Sequence, residues 1–332
     1  MNVLTFFNNK GGVGKTSMVY HIAWMLSELG KRVIAIDLDP QSNLSAMFLD
    51  TDRLEEIIEE NESFTIINSV IPITEGEGYT PVHIEEINEN IGLVVGDLSL
   101  STFEDRLSDA WLKCLSKDVY SFRITSIFNT IINDAKKRWE ADIVLVDIGP
   151  NLGAINRCVI ISSDYIVLPV ASDLFSIQGI KNLGQTLTGW RNDWGFREGL
   201  NPKPDTLEIP NGKMEPLGYI IMQYTAKERR PVKSYLKWAN RIPNVYRQYV
   251  LKKDEADISV ENDENCVGLL KHYHSLAPMA MEARKPIFLL KPADGAIGAH
   301  FQAVTRSYDD FKKVTISILN RTCVDNTKPT HE

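Results

Sequence analysis

Short apolar runs alternate along this chain with longer segments in which apolar positions recur every three or four residues. Val3-Leu4-Thr5-Phe6-Phe7 reads as a strand, and Val19, Ile22, Ala23, Leu26 and Leu29 then repeat at helical spacing until Gly30 ends the run. Val33-Ile34-Ala35-Ile36 is apolar without interruption, the pattern of a parallel strand covered on both faces. Residues 50–62 set seven acidic side chains and one basic one around Leu54, Ile57 and Ile58, which predicts a surface helix with a solvated acidic face. Gly76 to Pro81 predicts a loop and Ile91 to Gly96 another strand, followed by helices near 100–115 and 121–139. The second of these helices carries Ile124, Ile127, Phe128, Ile131 and Ile132 on one stripe, with Lys136, Lys137 and Arg138 at its C-terminal end, where cations are favoured. Asp142 to Asp147 and Tyr165 to Val170 repeat the strand pattern. Residues 195–215, with Pro202, Pro204 and Pro210, predict a loop insertion before Leu217 to Met222 resumes a strand. Pro286 to Gly295 reads as a strand and loop, and Phe301, Val304, Tyr308, Phe311, Val314 and Ile318 form the stripe that docks a last helix onto the sheet.

Strands alternating with helices predict an α/β fold: a mostly parallel, twisted sheet with helices on both faces and right-handed crossovers. Any ligand then belongs at the carboxyl ends of the strands. The whole chain, residues 1–332, is expected to form one domain with loop or helical insertions near 50–90 and 195–215. Apolar residues at 43% and charged residues at 24% fit a chain that buries a sizeable core rather than a disordered or fibrous one. No apolar run approaches the roughly 20 residues that span a bilayer, and the N-terminus enters a core strand at once, so a cytoplasmic protein without a transmembrane segment is expected. Cys114, Cys158, Cys266 and Cys323 are scattered, with no Cys-x-x-Cys, and are expected as reduced thiols. His272 and His274 would diverge on a helix and are read as ordinary residues.

Three strand ends carry chemistry. Between the first strand and its helix lies Asn8-Asn9-Lys10-Gly11-Gly12-Val13-Gly14-Lys15-Thr16-Ser17, a loop whose glycines let backbone N–H groups converge on an anion at a helix N-terminus. In such a loop Lys15 meets the β- and γ-phosphates and the Thr16 hydroxyl binds magnesium, which makes a nucleotide with Mg2+ the expected ligand. The second strand ends in Asp37 and Asp39, two apart and so on one side if the strand continued, where a metal-bound phosphate would sit. The run Ile143 to Val146 delivers Asp147 to a strand end, the arrangement in which a carboxylate holds magnesium through water near Thr16.

The usual phosphate-loop pattern has glycine where Asn9 stands. With Lys10, the motif Lys-Gly-Gly-Val-Gly-Lys-Thr resembles the deviant Walker A loop of the ParA/MinD family of dimerising ATPases, and Asp37-Leu38-Asp39-Pro40-Gln41 and the strand ending in Asp147 resemble that family's next two motifs. The resemblance covers nearly the whole chain and implies a P-loop NTPase of deviant Walker A type, close to ParA/Soj but longer, with no N-terminal DNA-binding extension. It implies that residues 10–17 cradle the nucleotide, and that Lys10 reaches across a dimer interface to the partner's nucleotide. It further places Asp37 in the magnesium shell, lets Asp39 position the attacking water, sets 286–295 near adenine and puts Asp173 to Gly179 at the dimer face. Gly149 stands where the family has proline, which predicts a more flexible loop after Asp147. The lack of a Cys-x-x-Cys argues against the family's iron–sulfur carriers, and 320–332 lacks the basic amphipathic pattern of a membrane-lying tail.

Charge is uneven. The net charge is −8, yet 227–253 hold nine basic and one acidic side chain, a local +8 that leaves −16 elsewhere. A helix from Pro231 to just before Pro243 would align Lys233, Lys237 and Arg241 on one face, and with Arg229 and Arg230 such a stripe would track phosphates without reading bases. A solvated basic face paired with acidic helices is the plainer reading of the same residues. Two functions remain open. One is an ATPase, homodimeric with ATP and stimulated by a ParB-like or other activating partner, that partitions or positions cargo through sequence-independent DNA binding on the nucleoid. The other is a nucleotide-switched interaction protein or regulator, or a MinD-like membrane-associated positioning ATPase, that uses the same dimer without partitioning DNA.

Overall fold

The computed structural model describes residues 2–59, 64–224, 226–227, 230–231, 237–273 and 275–322, of which 223, 224, 226, 227, 230 and 231 are described by their backbone alone. The strands are β1 (Asn2–Phe6), β2 (Val33–Asp37), β3 (Glu85–Asn88), β4 (Ile91–Val94), β5 (Ile143–Asp147), β6 (Tyr165–Ala171), β7 (Glu215–Tyr224), β8 (Ala226–Lys227), β9 (Arg230–Pro231) and β10 (Cys266–Lys271). The α-helices are α1 (Lys15–Glu28), α2 (Asn43–Phe48), α3 (Thr51–Glu59), α4 (Ile67–Thr74), α5 (Glu104–Lys113), α6 (Val119–Thr125), α7 (Ile127–Trp139), α8 (Ala154–Ile161), α9 (Leu174–Glu198), α10 (Ile242–Tyr249), α11 (Leu276–Ala283) and α12 (Ala299–Arg321).

Eight strands form one sheet in the order β10-β7-β6-β1-β5-β2-β4-β3. Every pairing is parallel except the β3–β4 hairpin at one edge. Side chains alternate across the sheet with the period of two that a pleated strand imposes. Leu4, Phe6, Val33, Ala35, Ile143, Leu145, Val167 and Ile220 pack on one face against α1 and α12, while Val3, Ile34, Ile36, Val144, Val146, Ile166, Leu168 and Ile221 pack on the other against α5 to α9. The central strands are therefore buried on both sides, which is why they read as unbroken apolar runs.

Several expectations change. Residues 286–295 form two 3-10 turns, Ile287–Leu289 and Pro292–Asp294, instead of a strand. Pro286 and Pro292 lack the N–H that a ladder needs, and the edge strand is supplied by Cys266–Lys271. Of the helix expected over 231–242, residues 232–236 lie outside the described residues and 237–239 are helical, but its ends differ: Arg230–Pro231 pairs with Ala226–Lys227, and Pro243 opens α10 as a first-turn residue where it was expected to close a helix. Helix α9 continues through Gly195 to Glu198, so the loop insertion starts later. The helix expected over 121–139 breaks at Ser126 into α6 and α7. The last apolar stripe begins at Val304, because Phe301 is half exposed.

Candidate functional site

The loop between β1 and α1 is shaped by two left-handed glycines, Gly12 at φ 73° and Gly14 at φ 87°, a region that side chains with a Cβ avoid. Gly11 and Gly12 are exposed, and nothing beyond the adjoining residues lies within 4 Å of where a Cβ would stand on either. Asn8 pins the loop from below: its amide nitrogen donates to the Pro169 carbonyl at 2.6 Å, and its oxygen accepts the Lys10 N–H at 2.9 Å. Asn9 lies against α9 at Gly179, where a Cβ would come within 3.2 Å of its side-chain oxygen. The two asparagines thus replace the missing glycine with a braced approach to β6 and α9.

Lys15 is 6% exposed, and its burial draws the ammonium pKa down while Asp147 and Asp39 pull it back up. Asp147 and Asp37 stand side by side, paired in register on neighbouring strands, and both are fully buried. Burial raises both carboxyls well above the ordinary range; the Asp37 charge raises Asp147 further, and the Asp39 charge raises Asp37. Their hydrogen bonding differs. Neither oxygen of Asp147 has a partner; the nearby Thr16 hydroxyl offsets part of its shift, but the geometry falls short of a hydrogen bond. Asp37 accepts the Ser45 N–H and the Ser45 hydroxyl, each at 2.8 Å, on one oxygen, and the Asp39 N–H at 3.3 Å on the other.

Asp39 follows the strand end in a loop, with its Oδ1 accepting the Gln41 N–H at 3.1 Å. A Cβ on Gly149 would sit 3.4 Å from that oxygen, so the glycine brings the loop after Asp147 close to Asp39. That loop, expected to be loose, is tied down. Asn156 Nδ2 donates to the carbonyls of Gly149 at 2.8 Å and Asn151 at 2.7 Å, and Glu104 on α5 accepts the N–H groups of Ala154 and Ile155 that open α8.

Lys10 does not point into the glycine loop of its own chain. Its ammonium meets Asp173 at 2.7 Å, with both side chains a little over a third exposed. Asp173 also caps α9 by accepting the Ser176 N–H at 2.8 Å. On the far side of α1, the fully buried His21 joins two distant segments. Its Nδ1 lies 2.6 Å from the Ser17 carbonyl, and its Nε2 accepts the Ile287 N–H at 3.1 Å, so the proton sits on Nδ1. The ring stacks on Phe311, and burial pulls its pKa down to about 4, so it is neutral. Ser17, Tyr20, His21, Met47, Ala280 and Ile287 help line an apolar cavity of about 180 Å3 beside it. Sequence reasoning passed over His21, whose partner Ile287 is 266 positions away.

Of the basic positions singled out, Arg229 and Lys233 lie outside the described residues, and Arg230 is described only as backbone in β9. Lys237 and Arg241 both turn onto the Trp238 ring, at 5.5 and 5.1 Å from its centre. Among the described residues, Cys114, Cys158 and Cys266 are free thiols, and no cluster of three or more His, Cys, Asp or Glu groups forms a cation cage. No helix among them is long and apolar enough to cross a membrane.

A glycine loop entering a helix, with two carboxylates paired at the neighbouring strand ends, is the frame of a P-loop ATPase. Residues 1–196 match the AAA_31 family, described as an AAA domain. The chain belongs to this family. A ParA family protein of Mycoplasma pneumoniae is 26% identical over 63% of this chain and 70% of its own length. The crystal structure of protein DIP2308 from Corynebacterium diphtheriae superposes with a TM-score of 0.73 at 22% identity, covering 97% of this chain and 99% of that one. A plasmid partition protein from Borrelia burgdorferi, bound to AMPPNP, gives 0.60 at 15% identity over 96% and 99%. The fold is that of the ParA/MinD-type P-loop NTPases, as the deviant loop implied.

Proposed function

We propose that this AAA_31 member is an ATP-hydrolysing, nucleotide-switched ATPase that dimerises with ATP and partitions or positions DNA or another cargo through sequence-independent DNA binding. The observation that carries the nucleotide reading is Asp147, a buried carboxylate with both oxygens unpartnered, within electrostatic reach of the buried Lys15 at the end of the glycine loop. A buried carboxylate without a donor is costly, and a hydrated divalent cation supplies what it lacks. In this reading Thr16 and Asp147 hold Mg2+, with Asp37 contributing its charge from alongside. When bound, the cation neutralises charge on the β- and γ-phosphates.

The remaining roles belong to the chain itself. The amides of residues 10–17 and the Lys15 ammonium bind the triphosphate. Asp39, close to the loop at Gly149, orients the attacking water. Lys10, a third exposed at the rim, leaves Asp173 to reach the nucleotide of a second copy, so that catalysis requires the dimer. The cavity between α1 and α11, one turn along α1 from Thr16, takes the base, flanked by Ile287 in the segment expected near adenine. The AMPPNP complex of the Borrelia relative is in keeping with this use of the fold. The +8 segment 227–253 provides the DNA-binding surface, and an activating partner of ParB type sets the rate.

A second reading has one observation in its favour. Lys237 and Arg241 both pack onto the Trp238 ring, an intramolecular use of these cations that suits a nucleotide-switched interaction protein that does not grip DNA. Co-sedimentation with DNA of random sequence and with anionic liposomes, each with ATP and with ADP, separates the readings. ATP-dependent binding to DNA is expected; retention by liposomes alone, or by neither, overturns the DNA assignment.

A further inference from the structure

The two buried carboxylates at the strand ends differ in one respect: Asp147 has no donors and Asp37 has three. Two of those three come from Ser45, which lies on α2 and is itself fully buried. Ser45 also binds the opposite side. Its Oγ, while donating to Asp37 Oδ2 at 2.8 Å, accepts the Gly96 N–H at 2.9 Å, just past the end of β4. A Cβ on Gly96 would fall 2.8 Å from the Ser42 hydroxyl and 3.0 Å from the Asp37 carboxyl carbon, so glycine alone lets this backbone approach. One hydroxyl therefore ties together the ends of β2 and β4 and the helix α2.

We propose that Ser45 is a positioning residue for the divalent-cation site: by occupying Asp37 Oδ2 with two hydrogen bonds, it fixes that carboxylate as an oriented neighbouring charge and leaves Asp147 as the coordinating one. The inference rests on the metal reading given above. With one oxygen doubly engaged and the other accepting the Asp39 N–H, the Asp37 carboxylate has a fixed rotamer. Outer groups of this kind orient metal ligands, and their removal typically lowers metal affinity by about 10- to 100-fold.

The test uses the full-length protein with Mn2+ as probe, counting free Mn2+ by electron paramagnetic resonance in the presence of saturating ADP. Ser45→Ala removes one donor from Asp37 and leaves the Gly96 N–H unpaired, and Mn2+ affinity is expected to fall about 10- to 100-fold. ADP affinity measured in EDTA should stay within about twofold. Ser45→Thr keeps the hydroxyl and should restore Mn2+ binding. Should the alanine variant fail to fold, Ser45→Cys keeps the bulk and the backbone N–H but donates only weakly, and it is expected to show the same loss. Unchanged Mn2+ affinity in Ser45→Ala or Ser45→Cys, alongside a loss in Asp147→Asn, overturns the role of Ser45. Unchanged affinity in Asp147→Asn as well removes the cation site on which the inference stands.

Discussion

The Asp39 side chain accepts the Gln41 N–H on Oδ1, and the Asp39 N–H donates to the Asp37 carboxylate. The Asp39 charge reaches Lys15 only through space, with no hydrogen bond from its side chain to the glycine loop, so Asp39→Ala should bind ATP with near-normal affinity and still dimerise. Hydrolysis should drop by roughly 10²–10⁴-fold, the usual worth of a group that orients or deprotonates a nucleophile. A persistent ATP dimer in gel filtration checks this; a monomer with normal turnover refutes it. Asp147 allows a prediction about pH. A carboxyl whose pKa is higher in the fold than in the unfolded chain holds its proton more tightly when folded, so its contribution to stability is lost as pH rises from the ordinary carboxylate range toward the raised folded value. Without nucleotide or Mg2+, Asp147→Asn should therefore melt above the parent at pH 8 and close to it at pH 5. Equal melting points at both values would mean that the carboxyl is not strained by burial. Lys10 and Asp173 form a pair whose energy is small, since exposed ion pairs contribute roughly 0–1 kcal/mol. Asp173→Asn keeps an N-cap on α9 while weakening the hold on Lys10, and should move the ATP-driven dimer to severalfold lower protein concentration. Lys10→Ala should abolish that dimer with nucleotide binding to the monomer intact; turnover independent of protein concentration in this variant would leave Lys10 a simple loop cation.

At the scale of elements, the loop after Asp147 is positioned by the packing of α5, α8 and α9. Trp111 on α5 is clamped between the guanidinium groups of Arg157 on α8 and Arg197 on α9, at 4.2 and 4.4 Å, and stacks on Trp194 at 5.7 Å. The Arg197 Nε closes the joint by donating to the Trp111 carbonyl at 2.9 Å. The same α5 sends Glu104 to cap α8, so this three-helix joint and the loop share one frame. Trp111→Ala removes a large buried ring from that joint and should cost about 3–5 kcal/mol of unfolding free energy in urea titration. A loss under about 1 kcal/mol would show that α5, α8 and α9 close up around the gap.

For the whole molecule the decisive property is the separation of charge, +8 within 227–253 against −16 for the rest. An overall negative protein repels nucleic acid at long range, so DNA binding through this segment has to weaken steeply with salt. Replacing Lys237 and Arg241 with glutamate should lower affinity for every DNA sequence alike and flatten the log–log salt dependence by about 0.9 for each phosphate contact removed. ATPase activity without DNA should survive. An unchanged affinity and slope would leave both side chains as partners of Trp238 and nothing more.

The sequence by itself determined the parts of this protein that are written in contiguous residues. The glycine loop, the strands ending at Asp37 and Asp147 and the stripe of α12 were legible because backbone conformation and pleat or helix period are local properties, and a parallel sheet covered on both faces leaves unbroken apolar runs. Where local signals were ambiguous the tertiary structure decided. The segment around Pro286 had the composition of a strand but no N–H to give at its prolines, and the edge went to Cys266–Lys271. Pro243 fits either the end of one helix or the first turn of the next, and only packing chose the second, burying Ile242 and Tyr246. The hydrogen bonds that prepare the site lie further from view. Lys10 finds Asp173 across 163 positions, Ser45 binds Gly96 across 51, and His21 binds Ile287 across 266. No periodicity encodes such pairs, because they exist only once parallel strands from distant parts of the chain end at the same edge of one sheet.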